Sequence, residues 1–449
     1  MMNTTHKIFS LAAVMFFIIG FAWAENNEEM TPEESIVNFL QEEARALDDT
    51  GDLDELIAMA ADKRLALLGE ASHGTTEYYS WRKNISRRLI EEKGYSFIVV
   101  EGDWPASFAV NRYVKGKDDI DDIPSLLVDN FQRWPQWMWA NEDVLALVEW
   151  LRGYNEGLPF EERVGFYGMD VYSFEESIEE VKTYIRQTED EVLMELKKHY
   201  RAFAPYNYDG FAYARAVYLQ GVELHEGVGK VKDALLERAD ELREKDEFEY
   251  FNALQNGLIV KNAEEYYRLA VTGGPAGWNS RVRHMEETVY RLLDHYGPQS
   301  KGIVWAHNTH VGDARATAMT DQQQVNIGEL ARQELGEENV FIVGFSTYTG
   351  TVMAGRQWGA SREVMEVPEA MNGSIDNLLE QVGKESYWLT FTDEARAHRE
   401  LSQRRGQRAI GVVYNPERER MGNYVPTSLP HRYDALLFFR ETRSLEPLY

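Results

Sequence analysis

Cysteine is absent from the 449-residue chain. That absence removes thiol nucleophiles, disulfide frameworks and cysteine-ligated metal sites. Basic residues are scarce beside acids, 47 Lys and Arg against 75 Asp and Glu, for a formal charge of −28. Nucleic-acid binding needs clustered cations against phosphate, so no nucleic-acid partner is expected. Long apolar runs are also missing after the first residues. There Lys7, an apolar stretch from Ile8 to Phe21, and Ala22-Trp23-Ala24 have the pattern of a cleaved signal peptide over residues 1–24. The run is short for a bilayer span. The mature chain is therefore expected to be periplasmic or secreted, without stable membrane insertion.

Several motifs are absent too. The chain has no G-x-S-x-G elbow, no H-E-x-x-H, no Walker A loop and no G-x-G-x-x-G after a strand. Serine hydrolases, zincins, P-loop enzymes and Rossmann dehydrogenases lose their usual signatures, and no cofactor is expected.

What is present is a 44% hydrophobic fraction, enough for a core. A recurring pattern runs short apolar stretches into polar residues. Leu65 to Leu68 leads to Glu70 and His73, Phe97 to Val100 to Glu101, Val164 to Tyr167 to Asp170, and Gly302 to Ala306 to His307 and His310. Val340 to Phe345 and Ala409 to Val413 read as further strands, and Ala435 to Phe439 as one closing or edging the sheet. Continuous apolar runs suit strands buried on both faces of a parallel sheet. Between them, Tyr78 to Lys93 and Val144 to Tyr154 carry helical spacing, as does Pro32 to Met59. The expected fold is α/β, a mainly parallel sheet with flanking helices. Strand signals vanish from Phe174 to about Tyr290, which predicts a large all-helical insertion over 174–290, a lid or wall of the cleft. The α/β domain then occupies 25–173 and 291–449.

In such folds, ligands bind beyond the carboxyl ends of the strands. Glu70-x-x-His73, Glu101, Asp170 and His307-x-x-His310 gather there. Histidine is the natural general base near neutral pH, and a neighbouring carboxylate fixes its tautomer. Taken singly, each histidine is more often structural; their shared position at strand ends makes a site. Gly74 is expected to allow a tight turn after His73. His199, His225, His284, His295, His398 and His431 stand in ordinary contexts. Two chemistries remain open: His73-activated water attacking an ester, or a divalent-metal hydrolase acting on an ester or amide. On an extended segment the H-x-x-H residues point to opposite faces, a weak metal signal. A non-catalytic periplasmic carbohydrate- or ligand-binding protein is a third reading. It rests on the aromatic-rich run Phe131 to Trp139, which otherwise reads as core or lid packing.

The run Leu68-Gly69-Glu70-Ala71-Ser72-His73-Gly74-Thr75-Thr76-Glu77 resembles the G-E-x-x-H-G-x-x-E signature of the erythromycin esterase family. Arg82, Val100-Glu101-Gly102-Asp103, Gly168-Met169-Asp170 and Trp305-Ala306-His307-Asn308-Thr309-His310 follow in matching order. The resemblance implies a metal-independent carboxylic ester hydrolase that opens a macrolide lactone or cleaves a related small-molecule ester, a role in antibiotic resistance. It implies His73 as the base, Glu70 polarising it, and Glu101 holding the network or Arg82. Arg82 and a late histidine, His307 or His310, would meet the oxyanion or leaving oxygen. By residue type alone, Arg82 reads as a solvated helix arginine. One departure stands out: in Arg281-Val282-Arg283-His284-Met285, Val282 replaces the acid of R-D-x-x-M, removing an expected partner for a site arginine.

Overall fold

The computed structural model describes residues 30–449 apart from residue 223, so the expected signal peptide lies outside the described residues. The strands, in chain order, are β1 (Arg45–Ala46), β2 (Leu65–Leu68), β3 (Phe97–Asp103), β4 (Gly165–Asp170), β5 (Gly302–Trp305) and β6 (Val340–Gly355). They continue with β7 (Arg362–Val367), β8 (Ser386–Thr390), β9 (Arg405–Arg408), β10 (Tyr424–Thr427) and β11 (Ala435–Thr442). The main sheet has the order β1-β8-β11-β6-β2-β5-β3-β4, with β7 on the far half of β6; β9 and β10 form a separate ribbon. Pairing is parallel from β11 through β4 and antiparallel at β1, β8 and β7.

Alternate residues of each central strand enter opposite cores. Ala66, Leu68, Ile98, Val100, Ile303 and Trp305 pack under the helix Thr76–Lys93. Leu65, Leu67, Phe97, Val99 and Val304 pack against the helix Ala276–Tyr296 on the other face. Each large apolar side chain so buried contributes about 1.5–3 kcal/mol. The chain leaves β2 toward β3 and β4, then returns to β5 and β6 on either side of β2. That reversal opens a crevice at the carboxyl ends of β2 and β5.

Between 174 and 270 the helices build a core of their own around Ile178, Val181, Phe203, Tyr213, Leu235 and Val260. The next helix, Ala276–Tyr296, instead lays Val282, Met285, Val289 and Leu292 on the sheet.

Three sequence expectations need correction. The helix expected over Pro32 to Met59 is broken. The helix Pro32–Glu43 yields to β1, and Asp49 caps a 3-10 turn at Thr50–Leu53 by accepting from the Gly51 amide. Ala409 to Val413 is not a strand: it crosses the strand ends, making isolated bridges from Ile410 to Ser72 and from Val413 to Gly355. Ala435 to Phe439 does not edge the sheet, because β8 adds antiparallel outside it.

His73 and Gly74 do form the expected turn, but without a positive φ. A Cβ on Gly74 would lie 1.9 Å from the Met353 carbonyl oxygen. The Gly74 carbonyl accepts from the amides of Met353 (2.9 Å) and Leu445 (3.0 Å), so glycine serves close backbone contact within the turn. Gly74→Ala is expected to destabilise the fold by about 1–3 kcal/mol, as overpacking does. Urea denaturation checks this; an unchanged midpoint would contradict it.

Candidate active site

Beyond β2 the backbone stays pinned. The Gly69 amide donates to Val343, and the Asn308 amide to the Glu70 carbonyl (both 2.8 Å). Asn308 Nδ2 donates to Phe345 O at 2.7 Å, so one residue, by its backbone and side chain, joins the ends of β2, β5 and β6. This fixes Glu70 and His73 in place. His73 Nδ1 lies 2.8 Å from Glu70 Oε1; the carboxylate only accepts, so Nδ1 carries the proton and the Nε2 lone pair is left free. Burial alone would lower the His73 pKa. The Glu70 hydrogen bond and charge, with Glu101 behind them, outweigh it and raise the value above the ordinary one.

Arg82 is fully buried, not solvated. Its Nη2 lies 2.7 Å from Glu70 Oε2, and its guanidinium rests 4.3 Å and 4.8 Å from the ring centroids of Tyr79 and Trp305. The contact is one of charge, because no Arg82 nitrogen has hydrogen-bond geometry. Arg82 does not line the pocket and does not touch Glu101, so the expected meeting with a substrate oxygen is corrected. It braces Glu70 from behind.

Arg281 holds the position that sequence reasoning sought to fill. From the helix Ala276–Tyr296 its Nε and Nη2 donate to Asp170 at 2.9 and 2.7 Å, and Nη2 also to Glu101 Oε1 at 2.8 Å. Its Nη1 stands 3.0 Å from His310 Nε2. Glu101 Oε1 is 3.2 Å from that same Nε2, and Oε2 accepts from the His307 amide at 2.9 Å. Burial would raise the pKa values of both carboxylates. For Glu101 the charge of His310 and then Arg281 outweighs burial and holds it well below the usual range; for Asp170, Arg281 does so. Val282, which faces the sheet core, has no bearing on these partners. Arg281 was legible only as a position in the 281–285 motif; Trp278, one turn earlier, is the companion signal.

His307-x-x-His310 is not extended. His307 N-caps the one-turn helix Asn308–Val311, and its Nδ1 accepts from the Thr309 amide at 3.2 Å. The proton therefore sits on Nε2, which meets no acceptor at good hydrogen-bond geometry, although the Ala71 backbone bears on the ring. Burial, then the charge of His73, pushes the His307 pKa well below its ordinary value. The rings of His73 and His307 stand 4.9 Å apart. His310 stacks on Trp278 at 4.7 Å and 9°.

Both late histidines line one pocket of about 450 Å³ with His73, Glu101, Asp170 and Arg281. Phe131, Pro135, Met138 and Trp139 form its apolar wall, so part of the aromatic-rich run faces the cleft, while Trp137 lies in the core. A larger neighbouring groove of about 700 Å³ shares Asp103 and Arg133 but contains none of these histidines, so the smaller pocket is the chemical one. None of the other histidines among the described residues lines it. His284 is buried against Asn262 and pushed down to about 3 by burial; His295 stacks on Phe251. Among the described residues no cluster of three or more His, Asp or Glu side chains is arranged to hold a metal ion.

The family model described as erythromycin esterase matches residues 90–442. The chain belongs to the erythromycin esterase family. It is a hydrolase by that membership, acting on a small molecule. The match takes in Glu101, Asp170, Arg281, His307 and His310, while Glu70, His73 and Arg82 lie upstream of it. Erythromycin esterase type II of Escherichia coli is 22% identical over 77% of this chain and 84% of its own. A putative hydrolase of Bacillus subtilis (strain 168) is 21% identical over 76% and 77%. Among solved structures, a Bacillus cereus protein aligns with a TM-score of 0.77 at 19% identity, covering 92% of this chain and 99% of its own. A mutant erythromycin esterase in an open conformation aligns with a TM-score of 0.63 at 16% identity, over 89% and 97%. These likenesses establish the α/β fold. No helix of the described residues is long and apolar enough to cross a membrane.

Glu101 and Asp170 have folded pKa values below their unfolded ones. Their contribution to stability is present above the unfolded value, about 4, and is lost as pH falls through the folded values. Glu101→Gln is expected to cost about 3–5 kcal/mol at pH 7 and far less near pH 2. Denaturant unfolding at both pH values measures the difference; an equal loss at both would contradict the ion-pair account.

Proposed function

We propose that the protein is an exported carboxylic ester hydrolase that opens a macrolide lactone or cleaves a related ester with His73-activated water. The observation that carries this reading is the Glu70–His73 pair at 2.8 Å, with the His73 Nε2 lone pair left free at the pocket. His73 Nε2 takes a proton from water as the water oxygen bonds to the ester carbonyl carbon. The carbonyl oxygen becomes an oxyanion. Arg281 supplies positive charge at the pocket, and the neutral His307, which lines it, offers its Nε2–H as a second donor. When the carbon–oxygen bond to the alcohol breaks, the His73 imidazolium returns its proton to the leaving oxygen. Glu70 stabilises that imidazolium, and Arg82 braces Glu70 from behind. Glu101 and His310 position Arg281 and the backbone of His307.

The donor set favours this route over a divalent metal. The guanidinium of Arg281 fills the space among Asp170, Glu101 and His310, where a metal would need to stand. Lys7, the apolar run and Ala22-Trp23-Ala24 support export. Protein recovered from the native host should begin at Glu25; recovery of the full-length chain inside the cell would count against it.

Incubation with erythromycin should add one water to the drug, read by mass spectrometry. His73→Ala should lower kcat about 100- to 10,000-fold. Intact drug after long incubation with folded protein would sink the macrolide reading. Turnover by wild type should rise with pH through the His73 pKa, which lies above about 6.5. Glu70→Gln removes the charge that raises it, so the acid limb should move to lower pH; an unmoved limb would contradict the pairing.

A further inference from the structure

Separate parts of the chain build an aromatic wall at the mouth of the catalytic pocket. Trp358 stands in the turn between β6 and β7, lines the pocket, and is 49% exposed. Its ring centroid lies 4.8 Å from that of Trp134, tilted by 58°. Tyr172, just past β4, and Phe211, from the helical bundle, each lie 6.4 Å from Trp358. Trp134 Nε1 donates to Ala360 O at 2.9 Å, which ties the hairpin turn to the loop carrying the apolar wall. Tyr172 carries the wall down to the polar floor, its ring 5.0 Å from the guanidinium carbons of both Arg133 and Arg281.

A half-exposed tryptophan forgoes apolar burial, and a contiguous exposed apolar patch beside a reactive pocket marks a binding surface. This one is continuous with the reacting groups, because Trp358 and His73 line the same cavity. Tilted ring faces fit a saturated ring that presents C–H bonds, and they carry no charge of their own. The floor below handles the ester group; the wall has nothing to offer the reaction. We propose that Trp358, backed by Trp134 and Tyr172, is a specificity-determining subsite that holds the ring-bearing, non-reacting part of the ester. The proposal rests on the hydrolase reading of the pocket and extends it to substrate choice: esters with a bulky saturated ring over short linear ones.

The test compares wild type, Trp358→Ala and Trp358→Phe on erythromycin, as the ring-bearing probe, and on p-nitrophenyl acetate. Trp358→Ala should raise KM for erythromycin on the order of 10-fold. Its kcat should stay within about twofold, and KM for p-nitrophenyl acetate should not move. Trp358→Phe should recover most of the loss. Equal changes with both esters, or none with either, would overturn the subsite. If wild type turns over neither ester, the hydrolase reading fails by itself. Equilibrium dialysis of erythromycin against wild type and Trp358→Ala then judges the subsite: tighter retention by wild type upholds it, and equal or no retention overturns it.

Discussion

The placement of one guanidinium among buried acids governs the catalytic end of this sheet. Glu101 lies near the end of β3 and Asp170 ends the adjacent β4, and both are almost wholly buried. Two carboxylates in that setting repel, and each loses several kcal/mol of hydration. Without a cation, one of them would take up a proton near neutral pH. Arg281 prevents this by giving three hydrogen bonds across the pair. Because Glu101 also accepts from the His307 amide, the charge balance sets the start of the Asn308–Val311 turn and, through it, His310. The helix Ala276–Tyr296 thus does more than cover the sheet: one turn carries the cation and the Trp278 ring that stacks on His310.

The same side-chain type is put to different uses by its surroundings. His73 meets a carboxylate braced by Arg82, so its pKa is raised. His307, 4.9 Å away by ring centroid, accepts from the Thr309 amide; burial and then the charge of His73 outweigh the opposing charge of Glu101, so its pKa falls well below the ordinary value. One histidine is thereby suited to take a proton and the other to donate a hydrogen bond without gaining charge. Environments that push neighbouring titratable groups apart are how acid and base roles are divided within a single pocket.

Much of this was legible in the chain. The central strands are read correctly because burial on both faces writes continuous apolar runs, and each run ends on the residue that the site uses. The misreadings have specific causes. The strand β8 carries Ser386 and Thr390 and borders β1, so its pattern is weak, and its position outside β11 depends on long-range pairing that no local signal encodes. Ala409 to Val413 is apolar because it walls the cleft, which periodicity cannot distinguish from a strand. Arg82 and Arg281 are both helical arginines, a class usually solvated; only the tertiary fold shows that one braces Glu70 and the other crosses two carboxylates. Val282 looked like a lost partner because it stands where the R-D-x-x-M pattern has an acid. On a helix the next residue turns by about 100°, which sends Val282 to the core.

The overall charge of −28 is a poor guide to what the pocket accepts. Inside it, the acids Glu101, Asp103 and Asp170 face the guanidiniums of Arg133 and Arg281, with His73 raised toward its cationic form. Asp103 and Arg133 are already joined, Nη2 to Oδ1 at 2.9 Å, and Arg281 is committed to Asp170 and Glu101. Little net charge is left to recruit a phosphate or carboxylate group. An apolar wall, a neutral His307 donor and a base with a free lone pair suit an uncharged electrophile that gains negative charge only as it reacts. An ester is such a group: it enters neutral and becomes an oxyanion at the carbonyl. On the proposed ester hydrolysis, the positive charge of Arg281, shared over its carboxylates in the resting site, would be matched most fully in the transition state, which is where binding accelerates a reaction.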